Sequence, residues 1–490
     1  MSKVAIIGSG FSSFSAACTL AAKGVDVHIF EKNDTVGGRS RQFSESGFKF
    51  DMGPSWYWMP EVFERFFNNF GHSASDFYEL KKLDPSFKIF FGKEDVMNIP
   101  SEFNDLVELF EETERGSGES LKRFMKEAEF KYNISMQDLI FKPGLSIFEL
   151  IDPKIFKGAF KLQLFESFHK HVRKHFTNPK LIALMEFPVL FLGSIPKNTP
   201  ALYSLMNYAG LNLGTWYPMG GFVKIIDGMS EVAKGLGVKI HTSEPVTKLI
   251  TNNNNISRIL ANEKSMNVDA VIGSADYHHI ENSLLDNGLQ SYSEKYWDSR
   301  SMSPSCLIFY IGVNKKLKNI THHNLFFHTD IEKHTSQIHT KPEWPTDPLF
   351  YACCPSKTDD TVAPKGSENL FFLIPIASGL DDSETIRAHY FDLIIEKFED
   401  ITSQKIKENI VYKKSYCIKD FKEDYNAYKG NAYGLANTLN QTANLKPKIK
   451  SKKVNNLFFS GQLTVPGPGV PPSIISGEIS ANELLKQFKL

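Results

Sequence analysis

This sequence predicts an α/β fold with a Rossmann-like unit at its start, and three observations predict it. Val4 to Ile7 is a short apolar run ending at Gly8. A Gly8-Ser9-Gly10 turn and a small-residue stretch through Ala16, Ala17, Leu20 and Ala21 follow, and then a second apolar run, Val25 to Phe30, closing on Glu31. Further on, the helical spacing of Val223, Ile226, Met229 and Val232 gives way to β-branched runs through Val238–Ile240, Val246–Ile250 and Val268–Ala275. Near the end, Asn456 to Phe459 reads as a strand that enters a Gly- and Pro-rich loop and then a helix from Ser473 or Ile474.

Composition bounds the possibilities. The chain has 490 residues, room for about three domains' worth of core. Lys plus Arg equals Asp plus Glu at 56 each, so the formal net charge is zero, which argues against a nucleic-acid binder or an acidic disordered chain. A mean hydropathy of −0.26 is too polar for a polytopic membrane protein. Phe is in excess, 40 against 17 Tyr and 5 Trp, which points to extensive apolar walls or a Phe-rich core. The cysteines, Cys18, Cys306, Cys353, Cys354 and Cys417, contain no C-x-x-C, so neither a disulfide framework nor a zinc module is expected. A reducing, cytoplasmic setting is the default. No signal segment is expected in Lys3–Gly8, and the apolar run Leu181–Ile195 is too short to span a bilayer and is broken by Glu186 and Pro188.

The first unit carries specific chemistry. Gly8 permits a tight turn, and Gly10 lets backbone approach a pyrophosphate at a helix N-terminus, with Phe11 and Ser12 opening that helix. Glu31 stands about twenty residues beyond the turn, where an acid accepts hydrogen bonds from ribose hydroxyls, with Lys32 beside it. An acid there disfavours a 2′-phosphate, so NADP is the least expected dinucleotide. Ser13 replaces the third small glycine of the pattern. Gly37-Gly38-Arg39 follows the second strand directly. Its glycines let a loop lie against a diphosphate while Arg39 supplies a charge-assisted contact. Downstream, Tyr217-Pro218-Met219-Gly220-Gly221 precedes the helix at Val223, and Asn252–Asn255 forms a polar turn. The loop Gly461-Gln462 to Gly469-Val470-Pro471 ends at a helix entrance that favours negative charge.

Together these stretches resemble the carotenoid desaturases of the flavin amine oxidase superfamily, and most closely the bacterial and fungal, flavin-only phytoene desaturases. The resemblance covers nearly the whole chain. It also includes Phe50-Asp51-Met52-Gly53-Pro54, Ser274-Ala275-Asp276, His322-His323, Ala363-Pro364 with Gly366, and Tyr425–Gly430. It departs at Ser13 and at Gln462, where a small residue is usual. The resemblance implies FAD as cofactor and a discontinuous FAD-binding domain, with an interleaved α+β substrate domain and a helical membrane-proximal part. The expected FAD-binding parts are 1–75, 214–276 and 455–490. Residues 76–213 are expected to be a helical, membrane-facing substrate part, and 277–454 a substrate domain of sheet and helices. It further implies that Gly53, Pro54 and the backbone of Val246 touch the cofactor, that Glu149 handles a proton, and that quinone or oxygen accepts the electrons.

The implied reaction removes two hydrogens from a saturated carbon pair of a phytoene-like polyene. Exposing about forty carbons to water at about 0.8 kcal/mol per methylene forbids free diffusion, so entry from a membrane surface is expected. Residues 154–175 fit that need: Phe156, Phe160, Leu164, Phe165, Phe168 and Val172 recur at helical spacing, and Lys154, Lys157, Lys161, Lys170, Arg173 and Lys174 face one acid, Glu166. The alternative is a core-packed helix with a solvated basic face. His171 and His175 are spaced as zinc ligands can be, but no third ligand is adjacent and no metal is expected. Other readings are a later-step carotenoid desaturase, a flavin amine oxidase and a flavin-less prenyl-protein escort. No nucleic-acid partner is expected.

Overall fold

The first apolar run becomes the centre of a parallel sheet because it can bury both faces. In the computed structural model, which describes residues 2–137, 139–146, 162–163, 166–438 and 440–489, Lys3–Ile7 lies between Asp26–Phe30 and Ala270–Gly273. Lys239–His241 extends the sheet beyond the second strand, and Leu457–Phe459 extends it beyond the fourth, all parallel. Side chains alternate across it. Val4, Ile6 and Ile272 join a cluster with Phe14, Ile225 and Ile475, from the helices Phe11–Ala21, Val223–Gly235 and Val470–Phe488. Ala5, Ile7 and Val271 pack on the opposite side with Leu249 and Ile259 of an antiparallel three-stranded meander, Val246–Asn252, Asn255–Ala261 and Lys264–Asn267. Ser13 is fully buried and the helix keeps its place against the sheet.

The last helix crosses the first at Gly477, where a Cβ would sit 2.1 Å from the Ser12 carbonyl oxygen. No other residue permits so close an approach, and it brings the C-terminal loop beside the Gly8–Gly10 turn.

A second sheet has seven strands, ordered Ile410–Tyr416, Ser305–Val313, Glu368–Ile376, Phe350–Cys353, His323–Phe326, Phe87–Phe90 and Val96–Ile99. All its pairings are antiparallel except His323–Phe326 with Phe87–Phe90. The last two strands come from 76–213, the stretch expected to be helical. Phe87 and Ile89 are fully buried with Lys88 between them, a two-residue period that the surrounding helical runs obscured. The sheet's outer face holds Phe309 and Phe372 against Ile394 and Phe398 of the helix Glu384–Thr402. Tyr310 and Phe371 point the other way. The Phe excess thus fills both faces of this sheet.

All five cysteines are buried and free. Among the described residues no helix is long and apolar enough to cross a membrane.

Candidate functional site

The turn after the first strand shapes the site. Gly8 has φ of 98°, a left-handed conformation that an L side chain rarely adopts, and its N–H donates to the Phe30 carbonyl at 2.8 Å. The helix Phe11–Ala21 starts at Gly10 with no side-chain cap and no acid in its first turn. Its free N–H groups face a cavity of about 1470 Å³ lined by residues of both large sheets. A Cβ on Gly10 would meet no protein atom within 4 Å. The space before this helix is therefore shaped for something other than protein.

The cofactor candidates converge there. Gly8, Gly10, Phe11, Ser12, Glu31, Lys32, Gly38, Arg39, Gly53, Pro54, Val246, Gly461, Gln462, Gly469, Val470 and Pro471 all line this cavity. Glu31 is held by donors: Ser9 Oγ to Oε2 at 2.6 Å, and the Asn33 N–H and Nδ2 to Oε1 at 2.9 Å each. Ser9 Oγ also accepts from the Gly37 N–H at 3.2 Å, tying the Gly37-Gly38 loop to the first turn. Lys32 donates to the Glu423 carbonyl, fixing the rim. A Cβ on Gly53 would lie 2.5 Å from the Arg39 carbonyl, so Gly53 lets its loop close over Arg39. The helix Val470–Phe488 also opens on the cavity, with Gly469 at its start and no side-chain cap.

Two arginines show what the cavity expects. Arg41 is answered by Asp424, Nη2 to Oδ2 at 2.6 Å, which with Tyr425 outweighs burial and raises it above its ordinary value. Arg39 stacks over Tyr425 at 4.8 Å and makes only a long bond, 3.4 Å, to the Asn431 carbonyl. Its buried Nε has no hydrogen-bond partner among the described residues, and burial pushes the guanidinium below its ordinary value against the pull of Tyr425 and Asp276. A buried arginine with no direct carboxylate bond among the described residues, two uncapped helix entrances and an acid at the ribose distance fit an adenine dinucleotide bearing a diphosphate.

Removing the acid tests this. Glu31→Ala is expected to weaken FAD binding roughly 10- to 100-fold, the scale of a hydrogen bond to a charged group, as measured by flavin fluorescence titration with the fold checked by circular dichroism.

Beyond the dinucleotide cradle the cavity turns apolar, with Met136, Leu162, Phe187, Leu190, Met206 and Phe371 among its walls. The run Leu181–Ile195 divides: Leu181, Leu184 and Met185 are core, while Phe187, Leu190 and Leu192 face the cavity. Leu202, Leu205 and Met206 face it too.

The sequence did not single out Asn437, whose unpartnered Oδ1 is buried in a cavity-lining residue. It also gave no role to Tyr351, whose hydroxyl donates to Ser55 Oγ at 3.0 Å on the cavity wall. Neither lies in a motif, so only long-range pairing exposes them. Asp276 did carry a signal, as the end of Gly273-Ser274-Ala275. It accepts from the His279 and Tyr428 N–H groups at 3.1 Å each, joining two cavity loops. Glu149 lies outside the described residues.

Comparison with known proteins agrees with this geometry. The family model described as flavin containing amine oxidoreductase matches residues 14–485. The chain belongs to that family. It is 40% identical over 486 residues, 99% of this chain and 98% of the other, to a carotenoid 3,4-desaturase of Haloarcula japonica. It is 29% identical to a 4,4'-diapophytoene desaturase of Staphylococcus haemolyticus, over 99% of both chains. It is 27% identical to a zeta-carotene-forming phytoene desaturase of Myxococcus xanthus, over 99% of this chain and 94% of the other. Among solved structures, putrescine oxidase bound to putrescine matches with a TM-score of 0.64 at 12% identity, over 99% of both chains. An oxidoreductase from Methanosarcina mazei matches with 0.63 at 16%, over 98% of this chain and 100% of the other. These solved structures share the fold. As a member of this flavin family the chain takes FAD, and the cradle described above is its candidate seat.

Proposed function

We propose that this chain is an FAD-dependent carotenoid desaturase that introduces carbon–carbon double bonds into a phytoene-like polyene. The observation that carries the reading is the cavity's continuation from the dinucleotide cradle into apolar wall, in a chain whose full-length relatives desaturate carotenoids. FAD, when bound, would take one of the two hydrogens as a hydride while the other leaves the substrate as a proton and the new carbon–carbon double bond forms. The chain's residues do the rest. Gly10, Arg39 and the entrance of the helix Phe11–Ala21 would hold the diphosphate end, and the entrance of the helix Val470–Phe488 would favour the negative charge that reduction brings to the flavin ring. Phe187, Leu190, Met206 and Phe371 exclude water and align a hydrocarbon that offers no polar group to grip. The 40% identity to a 3,4-desaturase favours a second reading, in which the substrate is an already unsaturated carotenoid desaturated at a later step.

Such a substrate reaches the cavity from a membrane surface, and quinone or oxygen removes the electrons. In the described part of 154–175, Phe168 and Val172 are buried, Arg173 pairs with Glu186 and Lys174 with Glu166, leaving Lys170 on the surface. Phe156, Phe160, Leu164, Phe165, Lys154, Lys157 and Lys161 lie outside the described residues. The docking reading therefore rests on the basic composition of the stretch, with adsorption to anionic vesicles that falls as salt rises.

The test is incubation of the FAD-loaded protein with liposomes carrying phytoene or a later carotene, with a quinone and without nicotinamide, and product analysis by absorption spectrum. New conjugated double bonds are expected. Peroxide release from a simple amine with no polyene product would overturn the reading in favour of an amine oxidase. An absolute need for oxidised nicotinamide would contradict the reading that flavin alone takes the hydride.

A further inference from the structure

We propose that Glu127, His171 and His175 form a binding site for one divalent first-row cation such as Zn²⁺. The two histidines are one helical turn apart, His171 on the helix Phe168–Arg173 and His175 just beyond it. The third group comes from a different element, the helix Ser117–Gln137. Their donor atoms all lie within 4.8 Å of one another, with His171 Nε2 and Glu127 Oε2 at 3.8 Å. Tetrahedral ligands about 2.1 Å from zinc lie about 3.4 Å from each other, so the three groups must draw together slightly, Glu127 and His171 by a few tenths of an ångström. The Glu127 side chain is 44% exposed and can make that movement.

His171 supplies the independent observation. Its side chain is 1% exposed, yet neither ring nitrogen has a hydrogen-bond partner among the described residues. Buried polar groups are nearly always satisfied, and leaving one unmet is costly. A cation between His171 and Glu127 would satisfy one of the two, Nε2. The rest of the pocket is built to hold the rings. Phe124 packs against both, 5.1 Å and 5.4 Å between centroids, and the two imidazoles meet edge to face at 5.2 Å.

Neighbouring cations do not occupy the site. Lys131 Nζ is directed to Gln163 Oε1, the Ala201 carbonyl and Ser204 Oγ, and Lys174 to Glu166. A second cluster, His322, His323 and Cys353, has each Nδ1 bonded, His323's 2.6 Å from the Tyr351 hydroxyl and His322's 2.8 Å from Thr358 Oγ1, and each Nε2 buried without a partner among the described residues. Ser135 and Met136, further along the Glu127 helix, line the large cavity, as does Leu162. A metal here ties the cavity-lining helix to the segment that carries the histidines.

The experiment uses the FAD-loaded protein, dialysed against a chelator and titrated with Zn²⁺ by calorimetry and with Co²⁺ by difference absorption against the flavin spectrum. One equivalent is expected, with Co²⁺ ligand-field bands and no thiolate charge-transfer band. His175→Gln and Glu127→Gln should each weaken binding at least about tenfold with flavin content and circular dichroism unchanged. Zn²⁺ should raise the thermal midpoint of the parent protein and not of the variants. Because Glu127 is partly exposed, its variant reads out even if the change at His175 prevents folding. No saturable binding, equal binding by both variants, or a thiolate band that places the ion at Cys353 would each overturn the proposal.

Discussion

Gly10→Val is expected to yield a folded protein that carries no FAD. The reason lies in what surrounds Gly10. Its backbone is in an ordinary extended conformation, φ −82° and ψ −173°, which valine adopts readily. A Cβ there meets no protein atom within 4 Å, so the protein itself has no objection to the side chain. The branched methyls would fill the space in front of the uncapped helix, where a pyrophosphate must approach the N–H groups. Loss of those charge-assisted bonds, each worth about 1.5–3 kcal/mol, amounts to several powers of ten in affinity. The purified variant should be colourless, with circular dichroism like the parent's and no desaturation of liposome-held carotene. A yellow variant with stoichiometric FAD would show that the cofactor lies elsewhere in the cavity. Gly8 is the contrasting control. With φ of 98° and a Cβ 3.2 Å from the Ala275 N, its substitution should damage the fold itself.

Gly477→Ala is expected to loosen the whole cradle from behind. One added methyl would place a carbon 2.1 Å from the Ser12 carbonyl oxygen and 2.9 Å from Ser15 Cβ. Both neighbours belong to the helix Phe11–Ala21 that opens on the candidate cradle, and backbone cannot rotate away as a flexible side chain can. The two helices must separate, at a cost of about 1–3 kcal/mol or more for overpacking. The change also moves Ser12 away from Gly461, where the C-terminal loop reaches within 3.3 Å of Ser12 Oγ by the same measure. Heating the variant should release FAD several degrees below the parent, read as the rise of free-flavin fluorescence, and FAD affinity at room temperature should fall with it. An unchanged release temperature would mean that the helix pair gives way at no cost, and the crossing would lose its importance for cofactor binding.

The dinucleotide turn was legible because its chemistry is local. A tight turn, an uncapped helix start and an acid at the end of the second strand are all set within Gly8 to Glu31. The Gly37-Gly38-Arg39 loop was legible for the same reason. The relation of these pieces to the loop at Gly461–Pro471 was an expectation from resemblance, and it takes the close contact at Gly477 to bring them together. The strand at Phe87–Phe90 was missed because four residues with one lysine carry too little periodicity to outweigh the helical runs around them. Arg39 could be named from its motif, but that its Nε has no hydrogen-bond partner among the described residues could not. That depends on Asp424 choosing Arg41, nearly four hundred residues away in the chain.

By itself, then, the sequence determined the α/β class, most elements of the parallel sheet and the glycine turns that stand at the candidate cradle, since strand period, helix period and turn residues act over a few neighbouring positions. The tertiary structure decided which strands share a sheet, which parts of Leu181–Ile195 face a cavity and which face core, and that Glu127 stands beside His171 and His175. Those outcomes depend on surfaces far apart in the chain fitting together, and a residue's partners across such a fit leave no trace in its own sequence neighbourhood.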